Sequence, residues 1–211
     1  SLAIQQDDWS HPSLQSLELK LTYVICLNGQ GKSEQSYPIT VQASKELQQL
    51  KDQTTNREEL KKIKKLECKI TYEMAYGLWQ GNNNQEAVEI VKKAIEQASI
   101  LNMSDILSEA YNLEGAIYRR LFMLDKAINS YQQSLKIAEI RKDYRLASII
   151  ISNISILYNE IEETEKAVQI SRKQFDYPVL DSLSMESRIN RIVLPVSYTH
   201  LRAHETDQYL V

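Results

Sequence analysis

Cysteine is scarce: Cys26 and Cys68 are the only two in 211 residues, and no C-x-x-C pair exists. A zinc site or dithiol redox centre is excluded on that ground, and two buried thiols are the expectation. Glycine (5) and proline (4) are also few. With Leu, Ile, Glu, Lys, Gln and Ala abundant, the composition predicts an all-α chain, because these residues lose little rotamer freedom in a helix. Neither sign of charge prevails, with 25 Lys and Arg against 28 Asp and Glu, so no broad field steers the chain to nucleic acid or an anionic membrane. A long apolar run is missing too. The longest, LASIIISNISILY (Leu146 to Tyr158), is interrupted by Ser148, Ser152, Asn153 and Ser155 and is too short to span a bilayer. The amino end lacks a signal peptide and starts with Ser, which suggests a piece cut from a longer product. A cytoplasmic setting is expected, with an extracytoplasmic sensor region as the alternative.

What is present is a helical rhythm. Leu60, Ile63, Leu66, Ile70, Met74 and Leu78 recur at the three-or-four spacing of one helix face. Gly81 is expected to end that helix in a positive-φ conformation. Asn82 to Asn84 make a turn, and Ala87, Val88, Val91, Ala94, Ile95 and Ala98 form the stripe of a second helix. Ser104 and Asp143 are expected as N-caps. Aligned copies share a period of 40: Ala87, Ala127 and Ala167 in one column, Leu78, Tyr118 and Tyr158 in another, Ala75, Gly115 and Ser155 in a third. Lys126 and Lys166 also match. A small residue early in the second helix lets paired helices approach, and a large one nine places earlier fills the space between them.

These columns resemble the tetratricopeptide repeat (TPR) family. The fullest copy is EAYNLEGAIYRRLFMLDKAINSYQQSLKIAE, Glu109 to Glu139, where Gly115, Tyr118, Ala127 and Tyr131 stand at the family's small, aromatic, Ala and aromatic positions, with Ser134 at the last small one. The copy from Ala147 to Phe175 keeps Ser155, Tyr158 and Ala167 but has Ser171 for the second aromatic; the copy from Thr71 to Ala98 keeps Ala75, Ala87 and Ala94. Leu14 to Leu27 with Gln35 to Lys51 reads as a degenerate pair, Leu27 and Ser36 at the paired positions and Pro38 required to sit in a first turn. The resemblance implies an α-solenoid of stacked antiparallel pairs in a right-handed superhelix, over residues 12–51, 57–101, 104–141 and 143–175. An extension at 1–11 precedes it, and an unfinished repeat at 176–195 follows. A period of 40 in place of about 34 implies longer helices.

The resemblance further implies a non-catalytic module that binds a peptide or helix of another protein on its concave face. Positions carried over as groove-lining are Lys69, Tyr72, Tyr76, Trp79, Asn112, Ala116, Arg119, Ser152, Ile156 and Asn159. The i, i+4, i+7 spacing of Tyr72, Tyr76 and Trp79 fits an aromatic recognition patch, and fits even better rings that pack against the preceding pair. The alternative role is the sensory or regulatory region of a longer bacterial signalling protein, a histidine kinase or a DNA-binding regulator. Self-association through uncapped ends is a further expectation.

Other motifs carry little. KKIKK (Lys61 to Lys65) is flanked by Glu58, Glu59 and Glu67 and reads as a solvated helix face. NGQGK (Asn28 to Lys32) lacks the spacing of a phosphate loop and reads as a helix-to-helix turn. His11 reads as a capping or surface residue. No Ser, His and Asp set and no paired carboxylates in an apolar pocket can be proposed, so no enzyme, cofactor or metal is expected. The one metal-like spacing, His200, His204 and Glu205, places Glu after the second His, whereas a metallopeptidase needs its base directly after the first. That stretch, VSYTHLRAHET, resembles translated sequencing-adapter nucleotides, and residues 196–211 are read as a non-native tail.

Overall fold

The computed structural model describes residues 13–177. The extension at 1–11, His11, all but the first two residues of the unfinished repeat and the His pair lie outside the described residues. Eight α-helices follow one another: α1 (Leu14–Gly29), α2 (Ser33–Gln53), α3 (Arg57–Gln80), α4 (Asn84–Ile100), α5 (Ser104–Arg120), α6 (Leu124–Ile140), α7 (Tyr144–Glu160) and α8 (Thr164–Arg172), with a 3-10 turn at Lys173–Asp176. Consecutive helices pack in antiparallel pairs and the pairs stack into an all-α solenoid. No described helix is long and apolar enough to cross a membrane.

The underlying pace is twenty residues. Helices α4 to α7 each have 17 residues, and each is followed by a three-residue link. The middle residue of every link from α3 onward is left-handed: Asn82, Asn102, Phe122, Lys142 and Glu162, at φ between 52 and 62°. The amide after it reaches back to the carbonyl five residues earlier at 2.9 Å, as in Asn83 to Leu78 and Met123 to Tyr118. That bond satisfies a helix-end carbonyl that would otherwise be orphaned. Gly81 is not the left-handed residue; its φ is −75°, and Asn82 takes the role because Asn tolerates that region almost as well as Gly. Only the α1–α2 link uses glycine for it, at Gly31 (φ 73°), so NGQGK is a turn. The low glycine count reflects links that place Asn, Phe, Lys and Glu where Gly would be easier.

Capping is correspondingly plain. Asp143 accepts the Leu146 amide at 3.1 Å. Ser104 does not cap: it is the first residue of α5 and Met103 holds the cap position. Pro38 lies inside α2, beyond its first turn. Its ring removes the amide that would bond Glu34, and the site tolerates this because Pro38 faces solvent.

Packing between paired helices repeats with substitutions that compensate each other. Ala87, Ala127 and Ala167 are buried, at 0, 0 and 1% exposure. In α5 and α6, a Cβ on Gly115 would sit 2.6 Å from the ring of Tyr131, so the missing side chain makes room for the ring. At the same two places the preceding pair has Ala75 and Val91, both fully buried. The following pair has Ser155 and Ser171, whose hydroxyls bond at 2.8 Å. Two turns earlier on α5 and one turn later on α6, Ser108 and Ser134 exchange hydroxyl-to-carbonyl bonds at 3.0 and 2.5 Å, and at the matching places of the following pair Gln174 donates to the Ser148 carbonyl at 3.2 Å. Lys126 and Lys166 lie over the rings of Tyr118 and Tyr158, a contact available to both matched columns.

The first pair joins by polar stitching. Asn28 donates to Glu73 Oε2 at 2.7 Å, accepts Ser36 at 2.5 Å, and its carbonyl accepts Gln80 at 2.8 Å. Lys20 and Glu46 form an ion pair at 2.6 Å between α1 and α2, with side chains 4 and 12% exposed. The two thiols part company. Cys68 is buried and burial pushes it up to about 11, while Cys26 is exposed because it falls on the outer side of α1, between buried Val24 and Leu27.

Candidate functional site

The odd-numbered helices stack directly on one another, α1 on α3, α3 on α5 and α5 on α7, whereas each even-numbered helix packs chiefly against its odd neighbours. The odd helices therefore line the inner face. Two grooves lie along it, of about 620 and 990 Å³, and Tyr72 lines both. One stripe of α3 supplies much of this surface: Lys62, Lys65, Lys69, Tyr72, Tyr76 and Trp79. Their spacing of three and four keeps all six on one face of the helix. The stripe is basic at its start and aromatic at its end.

The smaller groove holds the three lysines together with Glu73 of the same helix, Glu18 of α1, and Asp105 and Glu109 of α5. Burial raises the carboxyl of Glu73, which the Asn28 carboxamide partly offsets. Burial, then the charge of Asp105, raises that of Glu109. Tyr72 is pushed well above the usual tyrosine value, first by burial and then by Glu109 and Glu73.

In the larger groove the rings of Tyr72 and Tyr76 stand 6.4 Å apart and those of Tyr76 and Trp79 5.4 Å apart. The Arg120 guanidinium lies 4.2 Å above the Trp79 ring and donates to the Trp79 carbonyl and to Asn82 Oδ1. Arg119 turns the other way, to α7, where its Nε donates to Glu160 Oε2 at 3.0 Å and its Nη2 to Glu160 Oε1. Asn153 donates to Asn112 Oδ1 at 3.1 Å. The Trp79 indole N–H is buried with no hydrogen-bond partner among the described residues. Phe122, in its left-handed link, stands at the rim with 88% exposure.

Of the residues expected to line a groove, Tyr72, Tyr76, Trp79, Asn112, Ala116 and Arg119 line the larger one, and Lys69 lines the smaller. Ser152 does not reach it. With Ser148 and Ser155 it forms the face of α7 turned toward α8 and the 3-10 turn that follows, where it accepts from Gln174 at 3.1 Å. Asn159 is exposed and, with Ile156, outside both grooves. From α7 the lining residues are Ile149, Asn153 and Glu160, the side turned back toward α5. The expected positions assumed a spacing of 40, but the contacts that cross from one pair to the next join residues 41 apart: Trp79 with Arg120, Arg119 with Glu160, Asn112 with Asn153. A stack that rotates at each step advances the inward-facing position, and a fixed column does not follow it. Arg120, Asn153 and Glu160 escape a fixed column for that reason, whereas Phe122 lies in a link and belongs to no helical column. The visible signal was the tandem Arg119-Arg120 at a helix end.

No profile of a known family matches the sequence, and no curated protein sequence matches it. Solved structures do. BtubC (BKLC) from P. vanneervenii superposes with a TM-score of 0.71 at 13% identity, over 92% of this chain and 77% of that one. The nearly identical TPR-like repeats assigned to a Podosopora anserina kinesin light chain match at 0.63 and 11%, over 94 and 99%. RapI in its apo form matches at 0.63 and 14%, over 76% of this chain and 42% of RapI, and a Rap protein complexed with Competence and Sporulation Factor matches at 0.66 and 15%. The present chain thus spans less than half of either Rap protein. The fold is that of a TPR-like solenoid.

Proposed function

We propose that the chain is a non-catalytic binding module whose inner face receives an extended or helical segment of another protein. The observation that carries this is the larger groove: about 990 Å³, lined by five aromatic side chains, Tyr72, Tyr76, Trp79, Phe122 and Tyr131, with carboxamides at Asn112 and Asn153 and a guanidinium at Arg119 placed to meet a partner's polar groups. Rings provide contact area at low entropic cost, and a few fixed polar groups set orientation. The likeness to a Rap protein complexed with Competence and Sporulation Factor supports the reading. Selection of random peptides on the wild-type chain, followed by fluorescence polarisation, tests it. Ala116→Tyr, which fills the groove floor, should abolish binding of the selected peptides while the circular dichroism spectrum stays helical. Peptides that bind Ala116→Tyr as well as wild type would defeat the groove assignment.

A second reading rests on the length relation to the Rap proteins. The chain would be the sensory or regulatory region of a longer bacterial signalling protein, and ligand occupancy of the stacked pairs would bias an output region. Sequencing the source locus through codon 196 and beyond decides it; a stop codon shortly after a capping helix would count against it.

A further inference from the structure

The charge of the larger groove points to the class of its occupant. Its charged lining residues are Arg119, Arg120 and Glu160 alone, so the wall carries two cations and one anion. Arg120 is engaged with neutral groups, the Trp79 carbonyl, the Asn82 carboxamide and the Trp79 ring. Arg119 is engaged with the single anion. That pair is a fork, two N–H groups on two oxygens of one carboxylate, the geometry in which guanidinium recognises carboxylates best. It also remains reachable from outside, since the Arg119 and Glu160 side chains are 35 and 41% exposed. Glu160 sits near the end of α7, two residues before the left-handed Glu162, and is joined to the groove chiefly through this fork.

We infer that Glu160 is an internal stand-in for the ligand: the groove takes a segment bearing an Asp or Glu side chain, whose carboxylate replaces Glu160 on Arg119. The inference rests on the groove reading above and adds to it the chemistry of the partner. Exchange of one carboxylate for another keeps the guanidinium's two bonds, releases Glu160 to solvent, and so costs the site little. The net positive wall favours an anionic segment over a neutral or basic one. The source is an internal side chain and not a chain terminus, because Tyr72 lines both grooves, so a strand can run on along the inner face with its acidic residue at the Arg119 end, away from Glu18, Glu73, Asp105 and Glu109. Phe122, projecting beside Arg119 and Arg120, is the apolar contact next to that carboxylate.

Random peptides blocked at both ends, selected on the wild-type chain and measured by fluorescence polarisation, provide the test. Selected sequences should be enriched in Asp and Glu. Glu160→Gln should bind them at least about threefold tighter, because the competing anion is gone, although it loses a cross-pair contact and should melt no higher than wild type. Arg119→Gln should bind them more weakly, and raising the salt should weaken wild-type binding. Tighter binding by a variant that is not more stable is an outcome a purely structural bridge does not produce. If the selected peptides depend on the groove, losing affinity with Ala116→Tyr, yet are not acidic or are indifferent to Glu160→Gln, the stand-in is overturned and the groove reading survives. If binders emerge only with a free carboxyl terminus, the internal side chain is the wrong source. If no peptide depends on Ala116, both readings fall.

Discussion

Gly115 offers the sharpest test of the packing argument. Replacing it with Ala adds one methyl group in the middle of α5, and that carbon would lie 2.6, 2.7 and 2.9 Å from Cδ1, Cε1 and Cγ of Tyr131. The ring borders the groove on one side, but Tyr131 is 1% exposed and packs among the main core residues, and the contacted atoms include Cγ, which cannot swing away without moving the whole side chain. Overpacking a closed core costs about 1 to 3 kcal/mol, and three ring atoms in contact place this site near the upper value. Against it stands the gain from removing Gly from a helix interior, about 1 kcal/mol. The clash wins by about 2 kcal/mol, which for a chain of this length lowers Tm by roughly 4 to 8 °C. Urea unfolding followed by far-UV circular dichroism reads the difference directly. Tyr131→Val as a second substitution, which recreates the Ala75 and Val91 combination of the preceding pair, should make Gly115→Ala favourable in its presence, a coupling of about 2 to 3 kcal/mol in a double-mutant cycle. A Tm for Gly115→Ala at or above wild type would refute the reasoning, because it would mean the ring has somewhere else to go.

Four shorter predictions accompany it. Lys20→Ala should cost about 3 kcal/mol, since it leaves the Glu46 charge with only the Gln42 carboxamide at 2.9 Å, whereas Lys20→Met combined with Glu46→Leu should be close to neutral in urea unfolding. Phe122→Asn should raise stability by about 1 kcal/mol, since Phe122 is exposed and held at φ 57°, where Asn is less strained, while peptide affinity should fall. Glu73, Glu109 and Glu114 are each held above the ordinary carboxyl value of 4.5, chiefly by burial. The folded chain therefore keeps protons that the unfolded chain has released, so their contribution to stability is full below 4.5 and lost as pH rises through the raised values. Tm should be higher near pH 5 than at neutrality, and Glu114→Gln should reduce that difference. Ala127→Leu should overpack its pair and destabilise it by about 1 to 3 kcal/mol, measured by thermal melting.

The repeat was legible because its columns obey covalent spacing. Ala87, Ala127 and Ala167 must be small wherever two helices touch, and a period of 40 survives in sequence even as identity fades. The compensations were less visible, since Gly115 with Tyr131 and Ser155 with Ser171 look like signature and loss of signature until coordinates show both filling one space. The inner face of α3 could be read from its three-and-four stripe, because Tyr72, Tyr76 and Trp79 belong to one helix. The α7 wall could not be, because Asn153 and Glu160 face inward through rotation between pairs, which no single-helix pattern encodes. Links hid for another reason: Phe122, Lys142 and Glu162 carry no turn signature, and only equal spacing from Asn82 and Asn102 reveals them.

The twenty-residue pace limits how such a chain can lengthen. Neighbouring rods run in opposite directions and alternate between trough and outer wall, so inserting one rod would send every later Arg and aromatic to the wrong side. Inserting two restores them. A length change that keeps the aromatic stripe on the trough side must therefore add or remove whole pairs of rods, 40 residues at a time between α4 and α8 and more where the longer α2 and α3 are involved.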